Sequence, residues 1–371
     1  MTERYFHHEE DFHARDRKQF RKERRYAQKT DRSKFKKSDL DQLKKEEMVT
    51  LNDPRLHSGR VVAITGEGIW VETDGVQMLC TVKGLMKKEK MMSKNIIAVG
   101  DLVRVLPTDP KEGSIVIVEP RYSSLSRQDI SGKKEQLIAV NIDQALIVSS
   151  LQSPPLKPAL IDRYLIAAER GNIHPIIVIN KIDCLDETSL EEKDLYKNFL
   201  VVYEQLGYPI LSVSTITGAG LDNLRAIMKN KTSAFAGQSG VGKSSLLNAA
   251  FGMSLKIGDL TQKTFKGTHT TTSSELLTLP HGGFCIDTPG IRSFGIWNLQ
   301  REDVINHFRE FHSLAQNCRY ADCTHLSEPS CAVKVAVDAQ QISAIRYDSY
   351  KSLMDEIIAG LDNRTKRKLD L

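Results

Sequence analysis

The chain has 371 residues and nearly balanced charge, with 52 Lys or Arg, 47 Asp or Glu and a formal net charge of +5. This length leaves room for two or three domains. Neither a signal peptide nor an apolar stretch near the ~20 residues of a membrane span is found. We therefore expect a cytoplasmic protein that does not bind membranes and whose six cysteines stay reduced.

The first 50 residues are dense in charge and poor in aliphatic side chains. From Arg15 to Lys37 there are twelve Lys or Arg against three Asp or Glu. This composition predicts a disordered or transiently helical arm over residues 1–50 that binds phosphate, with RNA as its target. A solvated tail that only aids solubility is the alternative.

Residues 51–120 contain five short alternating runs separated by glycine-containing turns, which favours an OB-fold over an SH3-like barrel. The runs cover residues 60–64, 69–72, 78–82, 101–105 and 114–118. The long connection after the third run carries Lys83, Lys87, Lys88, Lys90 and Lys94. Barrel loops of this kind commonly contact nucleic acid.

Residues 121–297 alternate between strand and helix, as a parallel α/β sheet requires. The pattern predicts a strand over 143–148 and, from its apolar spacing, a helix over 159–170 with Gly171 as its C-cap. This region is therefore predicted to be an α/β domain.

The tetrapeptide Asn180-Lys181-Ile182-Asp183 follows a short apolar run that is typical of a buried parallel strand. The carboxylate of Asp183 can accept hydrogen bonds from guanine N1–H and the guanine 2-amino group, which adenine does not offer. The motif predicts a guanine site at a strand end, where open α/β sheets bind ligands. A plain strand-end turn is the alternative. Residues 212–218 look like a degenerate second base-contacting loop, with Ser214 and Thr215 against the base.

The segment from Gly237 to Ser244 fits the pattern Gly-x4-Gly-Lys-Ser between a strand-like and a helical run. Glycines allow the tight turn that brings backbone N–H groups to phosphates, and the following helix N-terminus adds a favourable dipole. Lys243 would bridge the β- and γ-phosphates, and Ser244 would bind Mg²⁺. The alternative is a glycine-rich turn with a surface lysine. The expected nucleotide contacts are Gly237, Gln238, Ser239, Gly240, Val241, Gly242, Lys243, Ser244 and Ser245.

A switch motif, Asp287-Thr288-Pro289-Gly290, follows another strand-like run. Asp287 is expected to hold Mg²⁺ through water, and the N–H of Gly290 to meet the γ-phosphate. Between the two motifs lies a threonine-rich segment, residues 266–272, in which one threonine should bind Mg²⁺. We favour Thr270, with Thr271 next.

Position 291, where Ras-like proteins carry a water-orienting Gln, is an isoleucine. Because an aliphatic side chain cannot orient water, hydrolysis would need another group. His269 is the nearest polar candidate, and the alternative is that His269 only caps the switch loop.

The order of these motifs is inverted. An ordinary G-domain begins with the phosphate loop and ends with the base-reading motif, whereas residues 180–183 precede residues 237–244 here. The sequence therefore predicts a circularly permuted G-domain over residues 121–297 that binds GTP or GDP with Mg²⁺.

Three cysteines and a histidine form the pattern Cys318-x4-Cys323-x-His325-x5-Cys331, a complete Cys₃His set for one structural Zn²⁺. The surrounding segment is too poor in apolar residues to fold alone without a metal. Three buried thiols near a surface histidine are the alternative. Residues 335–371 look largely helical, and a zinc-binding helical domain is predicted over residues 298–371.

These motifs, with the Gly-x-His-Thr-Thr-Thr string at residues 267–272, resemble the RsgA (YjeQ) family of bacterial small ribosomal subunit biogenesis GTPases over about residues 55–360. The resemblance implies an OB-fold, a permuted G-domain and a zinc domain. It also implies low intrinsic GTPase activity that the small ribosomal subunit stimulates, a late role in maturation of that subunit, and His269 as the catalytic histidine. The charged N-terminus is longer than we expect for the family.

Three functions are compared. The first is a ribosome-dependent GTPase, monomeric off the ribosome, that binds the small subunit and its rRNA and uses Lys243 and His269 in catalysis. The second is an RNA-binding module in which GTP is only a conformational ligand, and Ile291 is its best support. The third is a metal-insertion GTPase, which the barrel and the basic arm disfavour.

Overall fold

The computed structural model of the protein describes residues 53–82, 97–128, 135–255, 275–287 and 299–369. The strands within these ranges are β1 His57–Ile64, β2 Ile69–Thr73, β3 Val76–Val82, β4 Leu102–Asp109, β5 Glu112–Val118, β6 Ser124–Gln128, β7 Glu135–Val140, β8 Gln144–Ser150, β9 His174–Asn180, β10 Ile210–Ser212, β11 Thr232–Ala236, β12 Glu275–Thr278 and β13 Phe284–Asp287. The α-helices are α1 Pro158–Arg170, α2 Leu190–Gln205, α3 Leu221–Met228, α4 Lys243–Phe251, α5 Arg301–His307, α6 His312–Ala315, α7 Ala332–Asp338 and α8 Ala344–Leu369. Among the helices of these ranges, none is long and apolar enough to cross a membrane.

The first five strands close into a barrel, which confirms the predicted OB-type fold. Strand β1 pairs with both β2 and β4, β2 pairs with β3, and β5 pairs with β4. The β3–β5 pairing is parallel, whereas the others are antiparallel. Alternation along the strands turns apolar side chains inward, and these form a separate core: Val61, Val71, Met78, Cys80, Val103, Val105 and Ile115. The lysine-rich connection predicted to contact nucleic acid lies outside the described residues.

A mostly parallel sheet follows in the order β10-β9-β8-β11-β13-β12. Strands β10, β9, β8, β11 and β13 run parallel to one another, and β12 is antiparallel to β13. All seven residues of β8 and all five of β11 are buried, as expected for strands that are covered on both faces. This architecture confirms the α/β prediction for the region.

The barrel and the parallel sheet share backbone hydrogen bonds. Strand β1 pairs with β12 at Ala63 and Glu275, so the eleven strands form one continuous sheet. The guanidinium of Arg60, also on β1, donates to the Thr232 hydroxyl and lies over the Phe284 ring at 5.1 Å. The β6–β7 pair, which the sequence patterns did not predict, lies in the chain between the two parts.

Helix α1 lies between the sheet and the C-terminal helices. One face contributes Ile161, Tyr164, Leu165 and Ala168 to the core under the sheet, and Ile166 on the other face packs with the C-terminal core. Gly171 ends the helix, but in a right-handed conformation with φ of −79°. Its missing side chain matters because a Cβ there would lie 2.5 Å from the Ser124 carbonyl oxygen.

The C-terminal helices pack around a core that contains Phe308, Phe311 and Tyr350. Arg346 on α8 is 2% exposed, and its guanidinium lies 4.1 Å from the Phe308 ring centroid. It donates a hydrogen bond to the fully buried carboxylate of Asp162 on α1. A buried charge needs partners of this kind, so this contact ties α8 to the α/β region.

Candidate nucleotide site and metal centre

The predicted nucleotide-binding motifs meet at one edge of the parallel sheet. Residues 237–244, here called the glycine loop, connect the end of β11 to the start of α4. Asn180 is the last residue of β9, and the turn that follows carries Lys181 and Asp183. Because β9, β8 and β11 are adjacent parallel strands, their carboxyl ends lie side by side, although nearly 60 residues separate the two motifs in the chain.

Two glycines of the loop are required by close approaches. Gly237 has φ of +138°, and a Cβ at this position would lie 2.1 Å from the Val148 carbonyl oxygen. Gly242 has φ of +94°, and its Cβ would lie 2.4 Å from Nδ2 of Asn180. Any side chain at either position would therefore displace the loop from the sheet or from the Asn180 turn.

Lys243 is 7% exposed, and its ammonium points back over the glycine loop. Its Nζ donates to the carbonyl oxygens of Gly237 at 2.7 Å and Gln238 at 2.9 Å. Ser244 is also buried, in the first turn of α4, whereas Ser239 and Gly240 are exposed. The loop therefore presents backbone and a cation at a helix N-terminus, which suits an anion.

The Asn180 side chain joins the two motifs. Its Nδ2 donates to the Val241 carbonyl oxygen at 2.8 Å, and Asn180 is 1% exposed. Its Oδ1 is buried and has no hydrogen-bond partner among the described residues. A buried acceptor of this kind is costly unless something donates to it, so the site fits a polar ligand.

Asp183 and Ser214 face each other. The Ser214 hydroxyl donates to Asp183 Oδ1 at 2.6 Å and accepts from the backbone N–H groups of Ile216 at 3.2 Å and Thr217 at 3.1 Å. The Ser214 hydrogen bond lowers the pKa of Asp183, although partial burial opposes it. A carboxylate held ionised can accept two hydrogen bonds from one base edge. Thr215 lies next to this pair and is partly buried.

Lys181 has a left-handed backbone with φ of 62°. Its Nζ donates to the carbonyl oxygens of Gln152 at 3.2 Å and Ser153 at 2.6 Å. The sequence patterns did not predict this anchor, since residues 152 and 153 follow β8 and match no motif. It ties the turn after β9 to the loop after β8.

Several predicted site residues fall outside this geometry. His269, Thr270, Thr271 and Gly290 lie outside the described residues. The backbone of Asp287 ends β13, which runs parallel to β11 and so ends at the same edge as the glycine loop.

The predicted metal ligands come together in the C-terminal region. One ligand atom from each of Cys318, Cys323, His325 and Cys331 lies within 4.8 Å of all the others. His325 Nδ1 is 3.6 Å from Cys318 Sγ and 3.4 Å from Cys331 Sγ, and these two sulfurs are 3.8 Å apart. These separations match a tetrahedral Cys₃His set for Zn²⁺, whose ligand bonds are ~2.0–2.3 Å.

The surroundings of the cluster hold its ligands in place. The Tyr347 hydroxyl donates to the His325 carbonyl oxygen at 2.8 Å, and the Tyr350 hydroxyl donates to the Thr324 carbonyl oxygen at 2.8 Å. Burial would raise the pKa of the Cys318 thiol, but hydrogen bonds from the backbone N–H groups at the start of α7 lower it. Such donors favour the thiolate, the form that binds metal.

The predicted base-reading turn precedes the glycine loop in sequence but lies beside it in space, which is the arrangement of a circularly permuted GTPase. The RsgA GTPase family model matches residues 118–297. The chain belongs to the RsgA GTPase family.

The small ribosomal subunit biogenesis GTPase RsgA of Chlorobaculum tepidum is 42% identical over 312 residues, which cover 81% of this chain and 98% of the relative. That of Bacteroides fragilis strain YCH46 is 36% identical over 301 residues, covering 80% and 96%.

Two solved structures share the fold. YjeQ from Thermotoga maritima is 31% identical, with a TM-score of 0.64 over 82% of this chain and 99% of the other. YloQ, described as a circularly permuted GTPase, is 29% identical, with a TM-score of 0.61 over 83% and 97%.

Proposed function

We propose that this protein is a GTP-hydrolysing assembly factor that acts late in maturation of the small (30S) ribosomal subunit, and that the subunit stimulates hydrolysis. The observation that carries the proposal is the pairing of Asp183 with Ser214 beside the glycine loop, in a chain whose relatives are named small ribosomal subunit biogenesis GTPases. The protein would be cytoplasmic, monomeric off the ribosome, and in contact with rRNA.

The nucleotide would bind across the edge of the parallel sheet. Asp183 would accept from the guanine edge, and the glycine loop would surround the phosphates. Ser244 at the start of α4 and Thr270 would bind Mg²⁺, with Asp287 behind them. Support comes from the buried Oδ1 of Asn180, which has no hydrogen-bond partner in the described part of the chain and which a ligand or its water would satisfy.

Two residues would serve the chemistry. Lys243 would stabilise charge on the β- and γ-phosphates, because its ammonium already lies over the glycine loop. His269 would orient or activate water, since Ile291 cannot. The bound Mg²⁺ would neutralise charge that develops on the phosphates.

The Cys₃His cluster would hold one structural Zn²⁺. Four protein ligands complete a tetrahedron and leave no position for water, so no catalytic role is assigned to the metal. The domain division that we propose is residues 1–50 as a basic arm, 51–120 as the OB-fold, 121–297 as the GTPase domain and 298–371 as the zinc-binding helical domain.

The test is GTP hydrolysis by the purified full-length protein with and without purified small subunits. We expect slow turnover alone and a large increase with subunits, which is lost in Lys243→Ala. Zero turnover at saturating subunits, with GTP binding intact, would instead support an RNA-binding module that uses GTP only as a conformational ligand.

A further inference from the structure

Glu328 contacts the turn that carries the metal ligand His325, although Glu328 is not one of the four grouped ligands. It lies three residues after His325 and is half-buried. Its Oε1 accepts from the backbone N–H of Thr324 at 2.7 Å and from the Thr324 hydroxyl at 2.5 Å. Its Oε2 accepts from the backbone N–H of Leu326 at 3.1 Å. Both carboxylate oxygens therefore bind this turn.

The backbone of His325 is left-handed, with φ of 62°. A histidine adopts this conformation rarely, and it persists only where the surrounding structure fixes the backbone. Glu328 contributes to this restraint, because the N–H of Leu326 belongs to the peptide group directly after His325. The turn therefore depends on an acceptor at this place.

Two tyrosines of α8 bind the carbonyl oxygens of the same turn. The Tyr347 hydroxyl donates to the carbonyl oxygen of His325, in the peptide group that Glu328 also binds. The Tyr350 hydroxyl donates to the carbonyl oxygen of Thr324, in the peptide group before His325. Hydrogen bonds thus hold both peptide groups that flank the left-handed residue.

The conformation of the turn sets the direction of the imidazole ring. His325 is 7% exposed, and its Nδ1 lies 3.6 Å from Cys318 Sγ and 3.4 Å from Cys331 Sγ. A change in the backbone angles of His325 would move the ring nitrogen relative to these sulfurs. Because metal–ligand distances are held to within about 0.2 Å, even a small displacement would weaken binding.

We propose that Glu328 is a positioning residue for the metal, which holds the turn so that His325 Nδ1 faces the cysteine sulfurs. This role rests on the proposed Zn²⁺ site. Glu328 acts through the peptide groups of the turn and does not bind the metal itself. Residues that orient metal ligands in this way typically change metal affinity by about 10- to 100-fold when they are replaced.

The first experiment measures the zinc affinity of the full-length protein by competition with a chromogenic chelator. Glu328→Gln keeps the size of the side chain but puts an amide NH₂ in place of one acceptor oxygen, so the N–H of Thr324 or of Leu326 loses its partner. The affinity for Zn²⁺ should fall about 10- to 100-fold. Co²⁺-substituted protein should keep the absorption bands of a tetrahedral thiolate site, because the four ligands are unchanged. Altered bands would show a changed ligand set and would contradict a positioning role.

Asp322→Asn is the matched control. Asp322 is exposed and adjacent to the ligand Cys323, so this variant removes the same charge close to the cluster and leaves the Glu328 carboxylate in place. It should bind zinc as wild type does. Equal losses in the two variants would indicate a general effect of charge on the metal and would overturn the proposal. Binding of a fluorescent GTP analogue should match wild type in both, which checks that the GTPase region is folded.

The second experiment separates this role from a general contribution to folding. Glu328→Gln should lower the melting temperature of the zinc-loaded protein, and the difference from wild type should disappear after zinc is removed, because the turn is proposed to fold with the metal. An equal loss with and without zinc would make Glu328 a purely structural residue and would refute the positioning role. Unchanged zinc affinity in Glu328→Gln would refute it too, whereas wild-type protein that bound no zinc would refute the zinc site itself.

Discussion

The side-chain amide of Asn180 donates a 2.8 Å hydrogen bond to the carbonyl oxygen of Val241. One residue belongs to the turn that we propose reads the base, and the other belongs to the loop that we propose surrounds the phosphates. The two motifs stand in inverted order in the chain, and this contact joins them in space. A side-chain contact therefore joins the two halves of the proposed nucleotide site, in which base recognition and phosphate recognition can be tested separately.

Base choice is expected to depend on the Asp183 carboxylate. Asp183→Asn should weaken GTP binding on the order of 10²-fold, because it loses charge-assisted hydrogen bonds. The variant should tolerate xanthine nucleotides better, since the new amide donates where the 2-oxo group accepts. Competition among GTP, XTP and ATP measures this, and wild-type protein that bound ATP as well as GTP would contradict the assignment.

Substitutions of Lys243 and of His269 should differ in their effects on GTP affinity and on the rate of hydrolysis. Lys243→Ala should damage both GTP affinity and turnover, since the contact that we propose between the ammonium and the phosphates is present in ground and transition states alike. His269→Ala should leave affinity within a few-fold yet lower subunit-stimulated kcat on the order of 10²-fold or more. Single-turnover hydrolysis on small subunits, measured beside GTP binding, decides between them. An unchanged rate in His269→Ala would leave that histidine only a loop-capping role.

Metal analysis of the purified protein should give one Zn²⁺ per chain. Cys323→Ala or His325→Ala should abolish the zinc signal and unfold the segment from about Asn317 to Ala332, because metal binding supplies folding free energy there. GTP binding should survive, which serves as the internal control. Carefully purified wild-type protein without zinc would be incompatible with this role.

Removing one partner of the buried pair Asp162–Arg346 should lower the stability of the fold strongly. Arg346→Met leaves the buried Asp162 carboxylate without its arginine partner and should lower the free energy of unfolding by about 3–5 kcal/mol. Adding Asp162→Asn should recover part of the loss, because it removes the unpaired charge. Urea unfolding of the two variants and wild type measures the difference. Equal stability of single and double variants would argue against an ionised Asp162.

The free energy of unfolding should change with pH because His307 titrates. Burial lowers its pKa, but hydrogen bonds to Asp162 and Glu169 outweigh burial and raise it above the ordinary 6.5, even with Arg346 nearby. A raised folded-state pKa contributes stability that is fully present below pH 6.5 and is lost as the pH rises through the folded-state value. Unfolding measured from pH 5.5 to 9 should show this decline in wild type. His307→Gln should flatten it, and an identical slope in both proteins would contradict the prediction.

The motifs could be predicted because their chemistry dictates their spacing. Glycines at 237 and 242, Lys243 and the Cys₃His ligands sit at fixed intervals, and the alternating strands of the barrel follow from a period of two. The contact between α1 and the C-terminal helix α8 could not be predicted in this way. Asp162 and Arg346 are 184 residues apart in the chain, and nothing in the sequence of α8 distinguishes a buried arginine from a solvated one.

The anchor of Lys181 shows the same limit at the site itself. The carbonyl oxygens that accept from Lys181 belong to a loop whose sequence matches no motif. Backbone partners supplied by tertiary packing leave no pattern in the sequence.

The continuity of the sheet has a practical consequence for deletion studies. A chain cut after the barrel would lose β1, and the backbone groups of β12 that now face Ala63 would be left open to any other strand. The unpaired N–H and C=O groups of such an edge strand can form hydrogen bonds with a strand of another copy of the chain. The GTPase region without its barrel is therefore expected to aggregate or dimerise. If such a truncated protein failed to bind RNA, the cause could be this self-association and not the loss of an RNA-binding surface on the barrel.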